Sequence, residues 1–320
     1  MIGHGQSFLH GVALTGLGLV ILGLLAWISG VDWATMRALA LRISLADFAL
    51  LVLFQAGIVW LAARKWVLIL RHLPGNGSAL PQGDAVAATA IGTLAGQVLP
   101  IQIVTPLVRA WAVRRHNIPA SRAIGTSLFE QVFEVVVLAA MAALSVLILS
   151  LNVAAAVAAG AALALAVLIS ILIRPGLRLA ALILSWIGRH LLQRIMAPMA
   201  EAFSRAAEYP PQIIGIVTGL SFVRYFLLLG VSLLVIWRMS PETALISLAL
   251  AYPLILLVVS LPFIPAGLGL VEVTWVGVLT TAGLPVAEAA AIAIVTRIMV
   301  SGSFVAAVPF LIAFRSRTQS

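Results

Sequence analysis

Two distant stretches of this chain share one pattern, in which an apolar segment is broken at a Leu-Pro pair and a charge follows inside further apolar sequence. The first break is at Pro100 and leads to Arg109, and the second is at Pro262 and leads to Glu272. Proline ends or kinks a helix because it lacks the amide hydrogen and clashes with the preceding turn. A charge inside apolar sequence is costly unless it is paired or hydrated, and for that reason it marks a functional path. The pattern therefore predicts two broken helices beside a polar path.

The composition decides the class of protein to which these segments belong. Hydrophobic residues make up 63% of the 320 residues, charged residues make up 9%, and the mean hydropathy is +1.18. This excludes a soluble domain and predicts an all-α polytopic membrane protein, with residues 1–320 in a single transmembrane domain. The chain has no Cys and its five His are dispersed, so we expect no metal site and no other cofactor. The net charge of +9 comes from Arg residues beside apolar segments, which indicates membrane topology rather than binding to nucleic acid.

Six apolar segments are long enough to cross a hydrocarbon core of about 30 Å, which takes about 20 helical residues. We interpret the first as a retained span rather than a signal peptide, because no basic region precedes it. The six predicted spans are residues 12–28, 48–67, 123–149, 153–173, 213–237 and 287–314.

The first broken segment, residues 85–99, is too short to cross alone, since its 15 residues make a helix of about 22 Å. It crosses only if it continues through Pro100; otherwise it is a re-entrant hairpin, which needs protein or water around its turn. The second broken segment, residues 243–261, admits the same two interpretations. Both topologies leave one side richer in Lys and Arg, but the crossing version needs a 16-residue span, residues 268–283, that contains Glu272. We therefore favour two hairpins.

In the two-hairpin topology most Lys and Arg residues, Lys65 among them, fall on one side, which the positive-inside rule makes cytoplasmic. We thus expect a bacterial-type inner (cytoplasmic) membrane, with both termini in the cytoplasm. Three crossings separate the hairpins, which then enter from opposite faces as an inverted repeat of residues 85–149 and 243–312. A basic segment, residues 174–208, separates the repeats and is expected to lie in the headgroup layer. The alternative is that the two broken segments have no common origin.

The second break carries a family resemblance. Residues 261–272 read LPFIPAGLGLVE and resemble the LPxxPGGLGxxE signature of the lysylphosphatidylglycerol synthase transmembrane-region family, also catalogued as flippase-like integral membrane proteins. Ala266 departs from the Gly-Gly pair of that signature. The first broken segment lacks the glycines that the family usually shows. Further positions resemble family motifs across most of the chain: Leu99-Pro100, Arg109, Glu130, Glu134 and Arg297.

The resemblance implies translocation of a polar-headed lipid. The family is best known from proteins that make and export aminoacylated phosphatidylglycerol. In those proteins the synthase is a separate soluble domain, which we do not expect on this chain.

The charged residues themselves favour a headgroup site. Glu130 and Glu134 are four residues apart, so their carboxylates share one helix face. Arg suits a phosphodiester because its planar fork donates two parallel hydrogen bonds, and a carboxylate suits an ammonium or a sugar hydroxyl. We expect a site for a zwitterionic or cationic headgroup, formed by Arg109, Glu130, Glu134, Glu272, Arg297, Gln97 and Gln102. A compatible alternative is that two buried ion pairs, Arg109 with Glu130 and Glu272 with Arg297, lock the repeats together.

Three further residues belong to the expected site. Arg224 stands in an otherwise apolar span, and we expect it to contact the acidic residues. Gly267 and Gly269 allow turn conformations closed to other residues, and their amides are candidates for binding an anion. A plain turn is the simpler interpretation of these glycines.

The function that these residues favour is translocation of a polar-headed phospholipid, with aminoacylated and glycosylated headgroups among the candidates. The expected partners are a membrane phospholipid with a polar or anionic headgroup and a separately encoded lipid synthase. Two alternatives stay open: a membrane-embedded transferase for a lipid-linked substrate, and an accessory subunit of a lipid synthase. We expect a transporter without catalytic residues, because no nucleophile stands beside a base and no Asp-rich metal motif occurs.

Overall fold

The computed structural model describes residues 19–72, 80–151, 155–187, 200, 203–204, 207–260 and 267–310. Every regular element in these ranges is a helix, which confirms the all-α prediction for this part of the chain. The first six helices are α1 (Leu19–Ile28), α2 (Trp33–Ala40), α3 (Leu45–His72), α4 (Gln82–Ala95), α5 (Ile101–Val113) and α6 (Ala120–Leu151). The next five are α7 (Ala155–Ile187), α8 (Pro211–Met239), α9 (Leu245–Val259), α10 (Leu270–Thr281) and α11 (Val286–Ser303).

Four of the described helices are long and apolar enough to cross a membrane, so the protein is a multi-pass membrane protein. They coincide with four of the six predicted spans, although the last four residues of the predicted span 287–314 lie outside the described residues. The four helices are Leu45–His72, Ala120–Ile148, Pro211–Met239 and Val286–Phe310.

The other two predicted spans have a different outcome. Only the end of residues 12–28 is described; it forms α1, which meets α2 at a bend of 105°. The predicted span 153–173 lies in α7 from Ala155 onwards, while residues 153–154 are outside the described residues; the 33 residues of α7 make a helix of about 50 Å. This helix continues through Pro175 to Ile187 and so includes the first part of the basic segment 174–208. The six-span count and the interfacial position of that segment stay predictions.

The first Leu-Pro break is confirmed. Helix α4 ends at Ala95, and Pro100 stands immediately before α5, where its missing amide hydrogen breaks no helical bond. The two short helices pack against each other as a hairpin. At Gly92 an added Cβ atom would lie 3.2 Å from the Oγ1 atom of Thr105, so α4 and α5 approach closely there. The position of this hairpin relative to a bilayer stays a prediction.

A polar contact joins the open ends of the same hairpin. The Nε2 atom of His116, in the short 3-10 turn after α5, lies 2.7 Å from Oδ2 of Asp84 in the first turn of α4. Both side chains are partly buried. This contact therefore holds the two ends of the hairpin together, in addition to the packing between α4 and α5.

The second broken element is described on either side of its break. Helix α9 ends at Val259 and α10 begins at Leu270, while the Leu-Pro pair itself falls within 261–266, outside the described residues. The 12 residues of α10 make a helix of about 18 Å, which is too short to cross a bilayer alone.

The two halves of the chain contact each other through these short helices. Helix α9 packs along α6, and α4 contacts the 3-10 turn Phe304–Ala307 that continues α11. The second broken element thus contacts α6 of the first half, and the first broken element contacts the end of α11 in the second half. Aromatic rings fill the junction of α8, α9 and α10, where the ring centroid of Tyr252 lies 5.9 Å from that of Tyr225 and 6.1 Å from that of Trp275.

The close approach at Gly92 gives a first prediction. Gly92→Leu should lower the free energy of unfolding by about 1–3 kcal/mol, because the added side chain forces α4 away from Thr105. Thermal unfolding of the purified chain in detergent measures the effect. Gly219→Leu in α8 is the matched control, since a Cβ atom there meets nothing within 4 Å. Equal melting temperatures for the two variants would contradict the hairpin packing.

Candidate functional site

Arg109 and Glu130 form a buried ion pair between α5 and α6. The Nη1 atom of Arg109 lies 2.5 Å from Oε2 of Glu130 and 3.3 Å from Oγ of Ser127, to which it also donates a hydrogen bond. Arg109 is 3% exposed. The pair was one of two that the sequence suggested, and it holds α5 against the helix that follows it.

Lys65 joins these two residues, although the sequence did not single it out as a site residue. Its side chain is 1% exposed, with Nζ 3.2 Å from Oε1 of Glu130 and in direct contact with Oε1 of Glu134. It also donates a hydrogen bond to Ser221 on α8. Lys65 is therefore a charge buried inside the protein. Its neighbour Trp66 is also fully buried.

Arg224 on α8 is the fifth member. Its Nη1 atom lies 2.6 Å from Oε1 of Glu134, which agrees with the expected contact to the acidic residues. We call the five residues Lys65, Arg109, Glu130, Glu134 and Arg224 the charge cluster. It joins α3, α5, α6 and α8, and it contains three cations and two carboxylates, for a formal excess of one positive charge.

Trp66 positions Arg109. The guanidinium carbon of Arg109 lies 4.6 Å from the centre of the Trp66 ring, within the range of a cation–π contact. The indole nitrogen donates a hydrogen bond of 3.1 Å to Oγ1 of Thr126 on α6. The ring is thereby fixed, and the guanidinium that packs on it has a defined orientation.

The second ion pair joins α10 and α11. The Nε atom of Arg297 lies 3.3 Å from Oε1 of Glu272, a fully buried residue, and Oε2 accepts a hydrogen bond of 2.6 Å from the amide of Gly269. Glu272 stands in the first turn of α10, where a carboxylate stabilises the free amides of a helix start. This is the second pair that the sequence suggested.

The two glycines form a turn at the start of α10. Gly267 has φ +66° and Gly269 has φ +85°, the left-handed region that glycine adopts without strain. A Cβ atom at Gly267 would lie 2.6 Å from Cγ2 of Val271, so only glycine fits. Because Glu272 already accepts the amide hydrogen of Gly269, the turn interpretation describes this residue better than the anion-binding one.

Three glutamine side chains near the tip of the first hairpin donate hydrogen bonds to backbone carbonyls. Gln102 donates to the carbonyl of Val259 at the end of α9, and Gln131 donates to the carbonyl of Gln102, both at 3.1 Å. Gln97 donates to the carbonyl of Thr93 one turn earlier in the chain, at 3.4 Å. The tip of the first hairpin is thus connected to α6 and to the end of α9.

A cavity of about 310 Å³ brings both ion pairs together. It is lined by residues of α3, α4, α5, α6 and α8 to α11, with Tyr252 and Trp275 among them. Gly267 and Gly269 do not line it. Eight of the ten predicted site residues do: Gln97, Gln102, Arg109, Glu130, Glu134, Arg224, Glu272 and Arg297.

Two hydroxyl groups that the sequence did not single out also line the cavity. The Oγ1 atoms of Thr89 on α4 and Thr296 on α11 are buried and have no hydrogen-bond partner within the described ranges. A Thr in an apolar helix usually bonds to its own backbone, as Thr93 does, so the sequence carries no signal for these two. Among the residues described, no group of three or more His, Asp or Glu is placed to hold a metal ion.

The contacts of Lys65 in the charge cluster predict that replacing it lowers the stability of the protein. Lys65→Met should lower the free energy of unfolding by about 3–5 kcal/mol, because it removes the cation that Glu130 and Glu134 share. The double variant Lys65→Met with Glu134→Gln should lose less than the sum of the two single losses, because the two side chains contact each other. Denaturation in mixed micelles measures both, with Arg64→Met on the adjacent, half-buried residue as the control. Additive effects of the two substitutions would contradict the contact.

One protein family matches the sequence, over residues 11–307, and it is described as the lysylphosphatidylglycerol synthase TM region. The matched range contains all eleven described helices, both ion pairs and the cavity. No curated protein and no solved structure matches the chain. The family match and the membrane-spanning helices agree on a membrane protein related to lipid modification or translocation. The chain belongs to the family of the lysylphosphatidylglycerol synthase TM region.

Proposed function

We propose that this protein is a translocase that moves a polar-headed phospholipid across the inner membrane, with the headgroup passing through the cavity. One observation carries the proposal: charges of both signs from both halves of the chain line a single cavity inside a membrane protein. Such charges are costly at membrane depth, and carriers place them on substrate paths. The broken helices α4, α5, α9 and α10 border the same cavity, as discontinuous helices do in carriers.

A correspondence between the two halves of the chain supports the proposed inverted repeat. In one half Arg109 on α5 pairs with Glu130 on α6, and in the other Glu272 on α10 pairs with Arg297 on α11. The pairs occupy corresponding helices, with the signs exchanged. Pro119 and Pro285 stand immediately before α6 and α11, respectively. The proposed topology has six spans and two re-entrant hairpins.

The direction of the hairpins follows from this topology. If α6, α7 and α8 each cross once, the chain changes sides three times between the hairpins, which then enter from opposite faces of the membrane. The Arg-rich turn Arg114–His116 is on the cytoplasmic side in this arrangement, together with both termini. A site reached by one hairpin from each face suits alternating access.

Exchange of ion-pair partners supplies a mechanism. In the empty protein the carboxylates of Glu130 and Glu272 hold Arg109 and Arg297. A headgroup phosphate accepts hydrogen bonds from the same guanidinium groups, so it replaces a carboxylate without leaving a buried cation unpaired. The ion pairs would then close the path when it is empty and bind the substrate when it is occupied. Gln97, Gln102, Glu134 and Arg224 add polar contacts, and Gly267 and Gly269 shape the turn.

Transport by reconstituted vesicles tests the proposal. The full chain in liposomes should move a headgroup-labelled phospholipid between leaflets, measured by quenching the label in the outer leaflet. Arg109→Ala and Glu272→Gln should each slow the movement by about tenfold or more, because each removes one member of a buried ion pair that lines the cavity. Glu288→Gln on α11 makes the Glu272→Gln change at a carboxylate that does not line the cavity, and it should leave the rate unchanged.

Other outcomes would contradict the translocase. Movement at the rate of protein-free liposomes, or equal rates for Glu272→Gln and Glu288→Gln, would refute it. Product formation from a lipid-linked donor without movement between leaflets would favour a transferase instead. If the chain supported neither reaction, an accessory role beside a lipid synthase would replace it.

A further inference from the structure

Both carboxylates of the charge cluster are paired with cations, and the cluster has one cation more than it has carboxylates. Glu130 lies between Lys65 and Arg109, and Lys65 and Arg224 both contact the Oε1 atom of Glu134. The other pair, Glu272 with Arg297, is neutral as a unit. The three Arg and three Glu residues that line the cavity balance, and Lys65, which contacts Glu130 and Glu134 without lining the cavity, adds one positive charge beside it.

The polar atoms left without partners are mostly donors. The Nε atoms of Arg109 and Arg224 are buried and have no acceptor in the described part of the chain, and both residues line the cavity. The hydroxyl groups of Thr89 and Thr296 also line the cavity and likewise have no hydrogen-bond partner in the described part of the chain. The remaining unbonded atom on the cavity wall is Oε1 of Glu272, which Arg297 holds in an ion pair. Buried donors of this kind need an acceptor.

A phosphodiester matches both the excess cation of the cluster and the buried donors that lack acceptors. It carries one negative charge, which matches the excess cation, and its oxygens only accept hydrogen bonds. Arg forks bind phosphate oxygens with two parallel hydrogen bonds, which is the geometry that Nε and an Nη atom offer together. A primary amine on the headgroup would instead add a positive charge beside a cluster that already has one cation in excess. The cavity of about 310 Å³ lies at the small end of ligand sites, which fits a headgroup rather than a whole lipid.

We propose that the cavity selects a net anionic headgroup with a phosphodiester and no primary amine, and discriminates against cationic aminoacyl headgroups. This selectivity rests on the proposed translocase function, because the ligand is taken to be a lipid of the surrounding membrane. Arg109 and Arg224 bind the phosphodiester oxygens, and Thr89 and Thr296 donate to its remaining oxygens or to headgroup hydroxyls.

Binding can be measured separately from transport. Native mass spectrometry of the full chain in detergent, with phosphatidylglycerol, phosphatidylethanolamine or the lysyl ester of phosphatidylglycerol as probes, gives the relative affinities. Phosphatidylglycerol should bind more tightly than its lysyl ester by about tenfold or more, because like charges meet in the second case. Glycerol 3-phosphate, added as a competitor, distinguishes a lipid from a free phosphate ester. Weak competition is expected, and competition as strong as that of phosphatidylglycerol would overturn the lipid assignment.

Variants identify the site. Arg224→Gln should weaken phosphatidylglycerol binding by about tenfold, because a charge-assisted donor is lost from the cavity. Glu134 keeps Lys65 as its partner, so the variant should fold. Arg238→Gln is the matched control: the same change on the same helix, at an Arg paired with Asp47 outside the cavity. Thr89→Val with Thr296→Val is nearly isosteric and tests the hydroxyl donors if Arg224→Gln does not fold.

The outcomes separate this inference from the translocase proposal. Equal or tighter binding of the lysyl ester, or equal effects of Arg224→Gln and Arg238→Gln, would overturn the anionic selectivity. Selective binding of phosphatidylglycerol without movement between leaflets would leave the selectivity intact and refute the translocase. Movement of all three lipids at equal rates would support the translocase and overturn the anionic selectivity.

Discussion

Two carboxylates on one face of α6 organise the centre of this protein. Glu130 and Glu134 bring together Lys65, Arg109 and Arg224, which come from three other helices. These charges stabilise one another inside the membrane protein, because an unpaired buried charge costs several kcal/mol. The positions of α3, α5 and α8 around α6 are therefore coupled to one electrostatic cluster. The cavity and its donors are consequences of that arrangement.

The fold was predictable where the signal was length or proline. An apolar run of 20 or more residues specifies a long helix whatever its neighbours are, and four predicted spans lie in such helices. A proline cannot continue a helix, so the first break was predictable, although α4 ends at Ala95 and Pro100 stands before the start of α5. The continuation of α7 through Pro175 to Ile187 was not predicted, because Arg174 and Arg178 resemble the end of a span. The inverted repeat stays a prediction, although the two ion pairs now support it.

The candidate site was predictable where a charge stood alone in apolar sequence. Arg109, Glu272, Arg297 and Arg224 were found in this way, and both suggested ion pairs are present. Lys65 was missed because Arg64 precedes it near the end of a predicted span, which is the usual pattern of a headgroup anchor. Its partners lie about 70 residues away, so only the fold reveals the contact. That single residue gives the charge cluster its excess positive charge and so changes the expected headgroup.

The central claim is that the charge cluster binds a phosphodiester headgroup inside the protein. A cryo-EM map of the full chain in phosphatidylglycerol nanodiscs tests it most directly. The account predicts density for a lipid phosphate in the cavity, within hydrogen-bond distance of Arg109 and Arg224. Phosphate density confined to the lipid-facing surface, with both Arg residues bonded to their carboxylates alone, would contradict it.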